Sequence, residues 1–346
     1  MRAIDSFAWR NWPLEAVGLS PDRGSSTGPG TTGGSVGHLV GSRRHRGHMV
    51  RPILGSEALA ARAMTRRALA SRYDAIYRNV YLAKGMELTA AYRAEAAWLF
   101  SGRQATLAGL SAAAVYGTRW IDPAEPAELY RRNGKPVAGI LVHRDELLDD
   151  ETRLFAGIPV TTPARTAFDL GRRRGVDEAV MRLDALAQAT FVTAADVSPL
   201  VQRHPGVRGL VQLRDVLALM DGGAESPQET RTRLVLVNTG LPKPDTQIVV
   251  PGDFGGRSHA RIDMGYKEFK VGVEYEGAQH WTDPRVRAND IDRYAELAAL
   301  GWSIVRVGAD LLHRRPWVLV ARVCAALRAA GAEWPVIARV LGDRVA

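Results

Sequence analysis

From Ala260 to His280 the chain reads ARIDMGYKEFKVGVEYEGAQH, which places Asp263, Glu274 and Glu276 on two segments of strand character. Val271, Val273 and Tyr275 favour a pleated surface, and residues two apart on a strand point the same way, so Glu274 and Glu276 share a face. A turn centred on residues 267–270 sets Asp263 across from Glu274. Like charges placed opposite each other destabilise a sheet, so a cation is expected beside them. Carboxylate oxygens suit a hard divalent ion, and Mg2+ or Mn2+ is the ion this cluster points to.

The rest of the composition narrows the setting. A chain of 346 residues is long enough for two or three domains of about 100 to 200 residues each. Hydrophobic residues at 46% and charged residues at 24% are the proportions of a globular protein. Its longest apolar runs fall well short of the ~18 residues of a membrane span, so no membrane association is expected. One cysteine, Cys324, excludes an intrachain disulfide and a thiolate zinc cage, which fits a reducing cytoplasm. The net charge of +9 favours anionic partners such as nucleic acid. Lys and Arg outnumber Asp and Glu in each of 1–48, 49–221 and 222–346, so the basicity is spread along the chain.

Residues 1–48 carry GSSTGPGTTGGSVG and GSRRHRGH, too poor in apolar periodicity to fold alone, and are read as a disordered tail. Its arginines suit loose phosphate contact; a solvated tail, or a true start at Met49, is the plainer account. From Ser56 the pattern is helix (SEALAARA), Thr65 as N-cap of a second helix (RRALASRY), then a β-rich IYRNVYL. That order over 49–87 is the outline of a winged helix, in which Arg66, Arg67 and Arg72 would face DNA phosphates or bases. Solvated arginines on a small helical unit account for the same pattern equally well. Helices are expected over 88–100 and 105–116, and Asn133-Gly134 between strand-like runs signals a hairpin.

Thr162 and Pro163 open a helix after the strand GIPV, and Arg165 and Asp169 lie four apart on one face of it, as a structural ion pair would. The string TTPARTAFDL, Thr161 to Leu170, resembles the AbiEi family of antitoxin-type regulators, and the resemblance extends over about 56–219. It implies a winged helix followed by a mixed α/β domain (88–221), DNA binding without catalysis, and a cognate toxin or defence-system protein as a possible partner.

After Asp221-Gly222-Gly223, read as a linker, Ser226-Pro227-Gln228-Glu229 is a capping box that opens a helix ending at Gly240. Three strands, a helix from Pro284, the strand SIVRVG and a closing helix follow. This αβββαβ order over 222–346 resembles the PD-(D/E)XK nuclease superfamily, in particular its very-short-patch-repair-like branch. The residues that carry the resemblance are Glu229, Asp263, Glu274-x-Glu276, Gly277 and His280. It implies metal binding by Asp263, Glu274 and the Tyr275 carbonyl, completed by Glu229, with Glu225 as substitute. Glu276 stands where the superfamily pattern has lysine, and would bind a second ion or act as general base. His280 would donate to a phosphate or protonate the leaving oxygen, or is a polar residue at a strand end. Arg287 and Arg293 would contact phosphates, or belong to a salt-bridged helix surface. Trp281 and Trp302 are core residues or base-stacking ones.

The expected protein is therefore α/β (α+β): a winged-helix module, a mixed domain and a restriction-endonuclease-like domain. Its expected function is DNA binding with metal-dependent phosphodiester cleavage; the alternative is a non-catalytic transcriptional regulator or antitoxin-type DNA-binding protein.

Overall fold

The computed structural model describes residues 51–133, 136–255, 258–277 and 284–342, with the side chains of 284–290 excluded. It is mixed α/β, with thirteen α-helices and three sheets among the described residues. The tail boundary at residue 48 lies outside them, as do Asn133's neighbour Gly134, and His280 and Trp281.

The first sheet is small. Strand β1 (Ile53–Leu54) leads into helices α1 (Gly55–Ala60) and α2 (Arg66–Arg72), then β2 (Tyr73–Tyr77) and β3 (Val80–Ala83), in the antiparallel order β1-β3-β2. Thr65 caps α2 as expected, its hydroxyl accepting from the Ala68 amide at 3.1 Å. Leu69, Tyr73 and Ala83 form a separate minor core beneath it.

The middle region comprises α3 (Ala90–Phe100), β4 (Thr106–Leu107), α4 (Gly109–Val115), β5 (Ala127–Tyr130), β6 (Ile140–His143), β7 (Thr152–Phe155), β8 (Ile158–Thr161), α5 (Pro163–Arg173), α6 (Val176–Thr190), α7 (Ala194–Arg203) and α8 (Leu210–Leu219). The sheet order is β6-β5-β4-β8-β7. Two expectations fail here. The helix anticipated over 105–116 gives up its first turn, because Thr106 and Leu107 pair with Tyr130 and Leu129, and Leu107 also with Val160. The Asn133-Gly134 hairpin is not formed: β5 and β6 run parallel, Ala127 opposite Ile140. The chain reverses instead at residues 137–140, where Ile140 N–H donates to Val137 O and Gly139 takes a left-handed φ of 76°.

Beneath this sheet lies a buried polar network. Arg165, 1% exposed, donates to Asp169 Oδ2 at 3.1 Å, to the Tyr130 hydroxyl at 2.6 Å and to Glu151, while His204 Nε2 lies 2.6 Å from Glu151 Oε1. The ion pair foreseen between Arg165 and Asp169 is thus structural, and its members are multiply satisfied, as buried charge requires.

The last region holds α9 (Pro227–Asn238), β9 (Asp245–Pro251), β10 (His259–Tyr266), a 3-10 turn at Lys267–Phe269, β11 (Val271–Glu276), α10 (Pro284–Ala299), β12 (Ser303–Gly308), α11 (Ala309–His313), α12 (Pro316–Ala329) and α13 (Pro335–Leu341). The sheet order is β12-β11-β10-β9, with β11 and β12 parallel and joined through α10. On one side α12 packs Leu319, Val323 and Leu327 against Val271, Val273 and Val307. Full burial of each such side chain contributes about 1.5 to 3 kcal/mol. On the other side Leu297 of α10 meets Ile248 and Ile262. Gly272 permits this approach, since a Cβ there would lie 2.6 Å from Ile304 Cδ1 and 2.8 Å from Ile262 Cγ2.

The junction between the middle and last regions is anchored rather than loose. Asp184 of α6, 1% exposed, accepts from the Asp221 amide at 2.6 Å, from Thr230 Oγ1 at 2.8 Å and from Arg233 Nη2 at 2.6 Å, the last two on α9. No helix among the described residues is long and apolar enough to cross a membrane.

Candidate functional site

The carboxylates singled out in the sequence come from three elements. Glu229 sits in the first turn of α9, where Ser226 is the N-cap as expected but the reciprocal half of the capping box is replaced: the Glu229 amide donates to Ser226 Oγ at 3.2 Å, and its carboxylate accepts from the Ser226 hydroxyl, at 2.8 Å to Oε1, rather than from the Ser226 amide. Its second oxygen accepts from the Glu225 amide at 2.8 Å. Asp263 lies on β10, with Oδ2 accepting from the Tyr275 amide at 2.9 Å. The pairing of Met264 with Val273 makes Glu274 of β11 the next residue in line with Asp263.

Asp263 marks an irregularity in the sheet. Ile262 packs with Ile248 and Leu297 in one cluster, while Met264 packs with Val273 and Leu236 in another. On a regular strand these two residues would share a face. The twist is matched on β9, where Gln247 lies between Thr246, paired with Met264, and Ile248, paired with Ile262. Gln247 adopts a left-handed φ of 49°, a conformation of order 1 kcal/mol or more above the strand basin for such a residue. Its amide nitrogen lies 3.4 Å from Glu229 Oε2, and among the described residues its buried amide oxygen has no hydrogen-bond partner.

Electrostatics follow from this crowding. Burial, then the nearby charge of Asp263, pushes the Glu229 carboxyl up to about 7. Burial also raises Asp263, against the Tyr275 amide and the Arg293 guanidinium, which favour its charged form. Glu274, 5% exposed, is pushed up to about 7 by burial, with Asp263 adding to the rise. Opposing this, Arg293 of α10 grips Glu274 with Nη1 to Oε1 at 2.9 Å and Nη2 to Oε2 at 2.5 Å, and the Tyr294 hydroxyl donates to Oε2 at 2.6 Å. Among the described residues, no three Asp, Glu, His or Cys side chains stand at metal-holding spacing. A guanidinium holds the place beside Glu274.

The other sequence candidates are dispersed. Glu276 pairs with Arg306 on β12. Tyr275 contributes the amide that fixes Asp263. His280 lies outside the described residues, and Arg287 falls on α10 where only the backbone is described. Arg66, Arg67 and Arg72 are exposed on α2, about 200 residues earlier in the chain. Trp302 packs partly buried against the core of β9 and β10.

Two proteins of Mycobacterium tuberculosis, Uncharacterized protein Rv2248 of strain H37Rv and Uncharacterized protein MT2308 of strain CDC 1551, are each 30% identical to this chain over 253 residues, 72% of this chain and 90% of the relative. The chain belongs to their family. No family model and no solved structure matches it.

Several residues at the site were not legible as site residues in this family member's sequence. Gln247 is neutral and sits in an ordinary strand pattern, and only its backbone conformation distinguishes it. Tyr294 adjoins Arg293, a named candidate, but nothing in the sequence links it to Glu274. Trp120 is more than a hundred residues from the carboxylates, yet its indole Nε1 lies 3.3 Å from Glu225 O. Glu225 in turn pairs with Arg261 of β10 at 2.9 Å.

Proposed function

We propose that the last region is a restriction-endonuclease-like domain that hydrolyses phosphodiester bonds with a divalent metal ion, and that the first sheet with α1 and α2 is a winged helix that binds DNA. The observation that carries the catalytic half is the electrostatic coupling of Glu229, Asp263 and Glu274. Buried Glu229 of α9 and Glu274 of β11 and half-buried Asp263 of β10 have their acidities weakened, two of them up to about 7, with the charge of Asp263 acting on both glutamates. Sites that perturb carboxylates in this way are commonly functional ones.

The donor set fits magnesium or manganese. Every donor is oxygen, one being the unpartnered amide oxygen of Gln247, and hard divalent ions prefer such ligands. Asp263, Glu274 and Glu229 would hold the ion, which when bound supplies polarisation of a phosphoryl oxygen and acidifies a water. The chain's own residues do the rest. The Tyr275 amide fixes Asp263 and the Ser226 cap fixes Glu229. Arg293, displaced from Glu274, supplies positive charge toward the phosphate, a charge that Glu276 at the lysine position does not provide.

The DNA-binding half is supported by the capped α2, which exposes Arg66, Arg67 and Arg72, and by exposed Arg78 and Lys84 on the adjoining β2–β3 unit. DNA is the proposed partner, with a cognate toxin or defence-system protein following from the AbiEi resemblance. A cytoplasmic setting accords with this reading. The deciding experiment replaces Asp263 and Glu274 together with alanine. Metal-dependent nicking of plasmid DNA should vanish, and persistence of nicking would sink the catalytic assignment.

A second reading, a non-catalytic regulator, is favoured by one specific observation. Arg293 on Glu274 and Arg306 on Glu276 balance the charge without an ion. A melting temperature indifferent to magnesium and manganese would favour that reading.

A further inference from the structure

Trp120 is half exposed, at 49%, yet its orientation is fixed from three directions. Its indole N–H donates to Glu225 O at 3.3 Å, its carbonyl accepts from Arg182 Nη1 at 2.6 Å, and its backbone takes a left-handed φ of 64°. A bulky residue in that region is strained, and such strain persists only where surrounding contacts enforce it. The Arg119 guanidinium lies over the ring, 4.7 Å from its centroid. Arg119 is exposed and has no carboxylate partner among the described residues.

The residue that anchors the indole belongs to the carboxylate cluster. Glu225 donates its amide to Glu229, and its side chain pairs with Arg261, two residues before Asp263. The middle region thus presents a pre-oriented ring and a cation beside the carboxylates of the last region. A duplex stacks its bases internally and offers no free face to such a ring, whereas an unpaired base stacks on it and places its phosphate near the cation. Packing alone would explain a buried tryptophan; it does not explain a strained one left half open to solvent beside an unpaired arginine.

We propose that Trp120 and Arg119 form a stacking platform for an unpaired nucleotide base, so that the strand presented to the carboxylate site is single-stranded or locally opened. The proposal rests on the nuclease reading for the direction of the strand, though the platform itself is a binding site and is tested without cleavage.

The test uses the full chain in EDTA, with fluorescein-labelled oligothymidylate and its duplex with oligoadenylate as probes, read by fluorescence anisotropy. Trp120→Leu should weaken single-strand binding about tenfold while changing duplex binding less than about twofold, and Trp120→Phe should restore most of the loss. Unchanged single-strand affinity in Trp120→Leu, or an equal loss on both probes, overturns the platform. Should Trp120→Leu fail to fold, Arg119→Gln decides: it should weaken single-strand binding and reduce its salt dependence, and an unaltered affinity overturns the proposal. A magnesium-dependent cleavage assay of the wild type and of the Trp120 and Arg119 variants separates the two ideas. Retained preference for the single strand in a protein that does not cleave even as wild type leaves the platform standing and removes the nuclease reading; cleavage without any contribution from Trp120 or Arg119 does the reverse.

Discussion

Arg293 is the side chain on which the chemistry of the carboxylate site turns. Its two contacts to Glu274 oppose the burial that pushes this carboxyl up, and the balance leaves it at about 7. Removing one partner of a largely buried pair destabilises by about 3 to 5 kcal/mol, because the charge left behind has no compensation. Arg293→Gln should therefore lower the melting temperature, and Mn2+ should recover a larger share of stability in the variant than in the wild type, since the ion takes the place of the guanidinium. Equal Mn2+ shifts in both proteins, measured by differential scanning fluorimetry, would show that Arg293 and the ion do not compete. At this scale the sequence was informative about charge and silent about pairing. Asp263 and Glu274 stood out because carboxylates are uncommon in strand patterns, and Glu229 because it closes a helix-capping motif. That Arg293 would grip Glu274 depends on the return of α10 across the sheet, which no local spacing encodes.

Among the elements, α5 and α2 make contrasting demands. The helix α5 carries Arg165 and Asp169 into the core, where Asp169 also accepts from the Tyr130 hydroxyl at 2.9 Å and from Arg172 Nε at 3.2 Å. Asp169→Asn keeps the shape but removes the charge that several arginines face, and should cost about 3 to 5 kcal/mol in urea denaturation. A change under about 1 kcal/mol would mean that the network is not a structural one. On α2 the arginines are exposed, so Arg66→Ala and Arg67→Ala should leave stability within about 0.5 kcal/mol. If they face phosphates, each should weaken DNA binding evenly across sequences and lower the slope of log affinity against log salt by about 1. Helix starts were the most legible feature of the chain, because Thr65, Thr162 and Ser226 cap through contacts within three residues. The β5–β6 pairing was misread because Asn133-Gly134 is a local signal, whereas the sheet order is decided by which apolar strands the core can bury.

Across the whole molecule, the weakened acids make stability depend on pH. In an unfolded chain a glutamate titrates near 4.5, whereas folded Glu229 and Glu274 do so near 7. Between those values the folded state binds more protons than the unfolded state, so stability is greatest below the lower value and is lost as pH rises through the upper one. Without divalent ions the melting temperature should fall by on the order of 5 °C from pH 5 to pH 8, and Glu229→Gln with Glu274→Gln should flatten the decline. Magnesium or manganese, which binds the deprotonated forms, should oppose it most at the alkaline end. A wild-type profile no steeper than that of the double glutamine variant would count against the coupling.

Asp184 has a consequence for how this protein comes apart. By bonding α6 to the Asp221 amide and to Thr230 and Arg233 on α9, it ties two hydrophobic cores through a single desolvated carboxylate. Residues 51–346 form one compact unit, and a protease should find no cut at 221–223 that releases a stable fragment. Amide hydrogen exchange should report the same opening energy for α6 and α9, whereas Asp184→Asn should let the last region open first. A chain whose sequence reads as divisible after residue 221 should therefore open, in kinetic terms, as a single cooperative body.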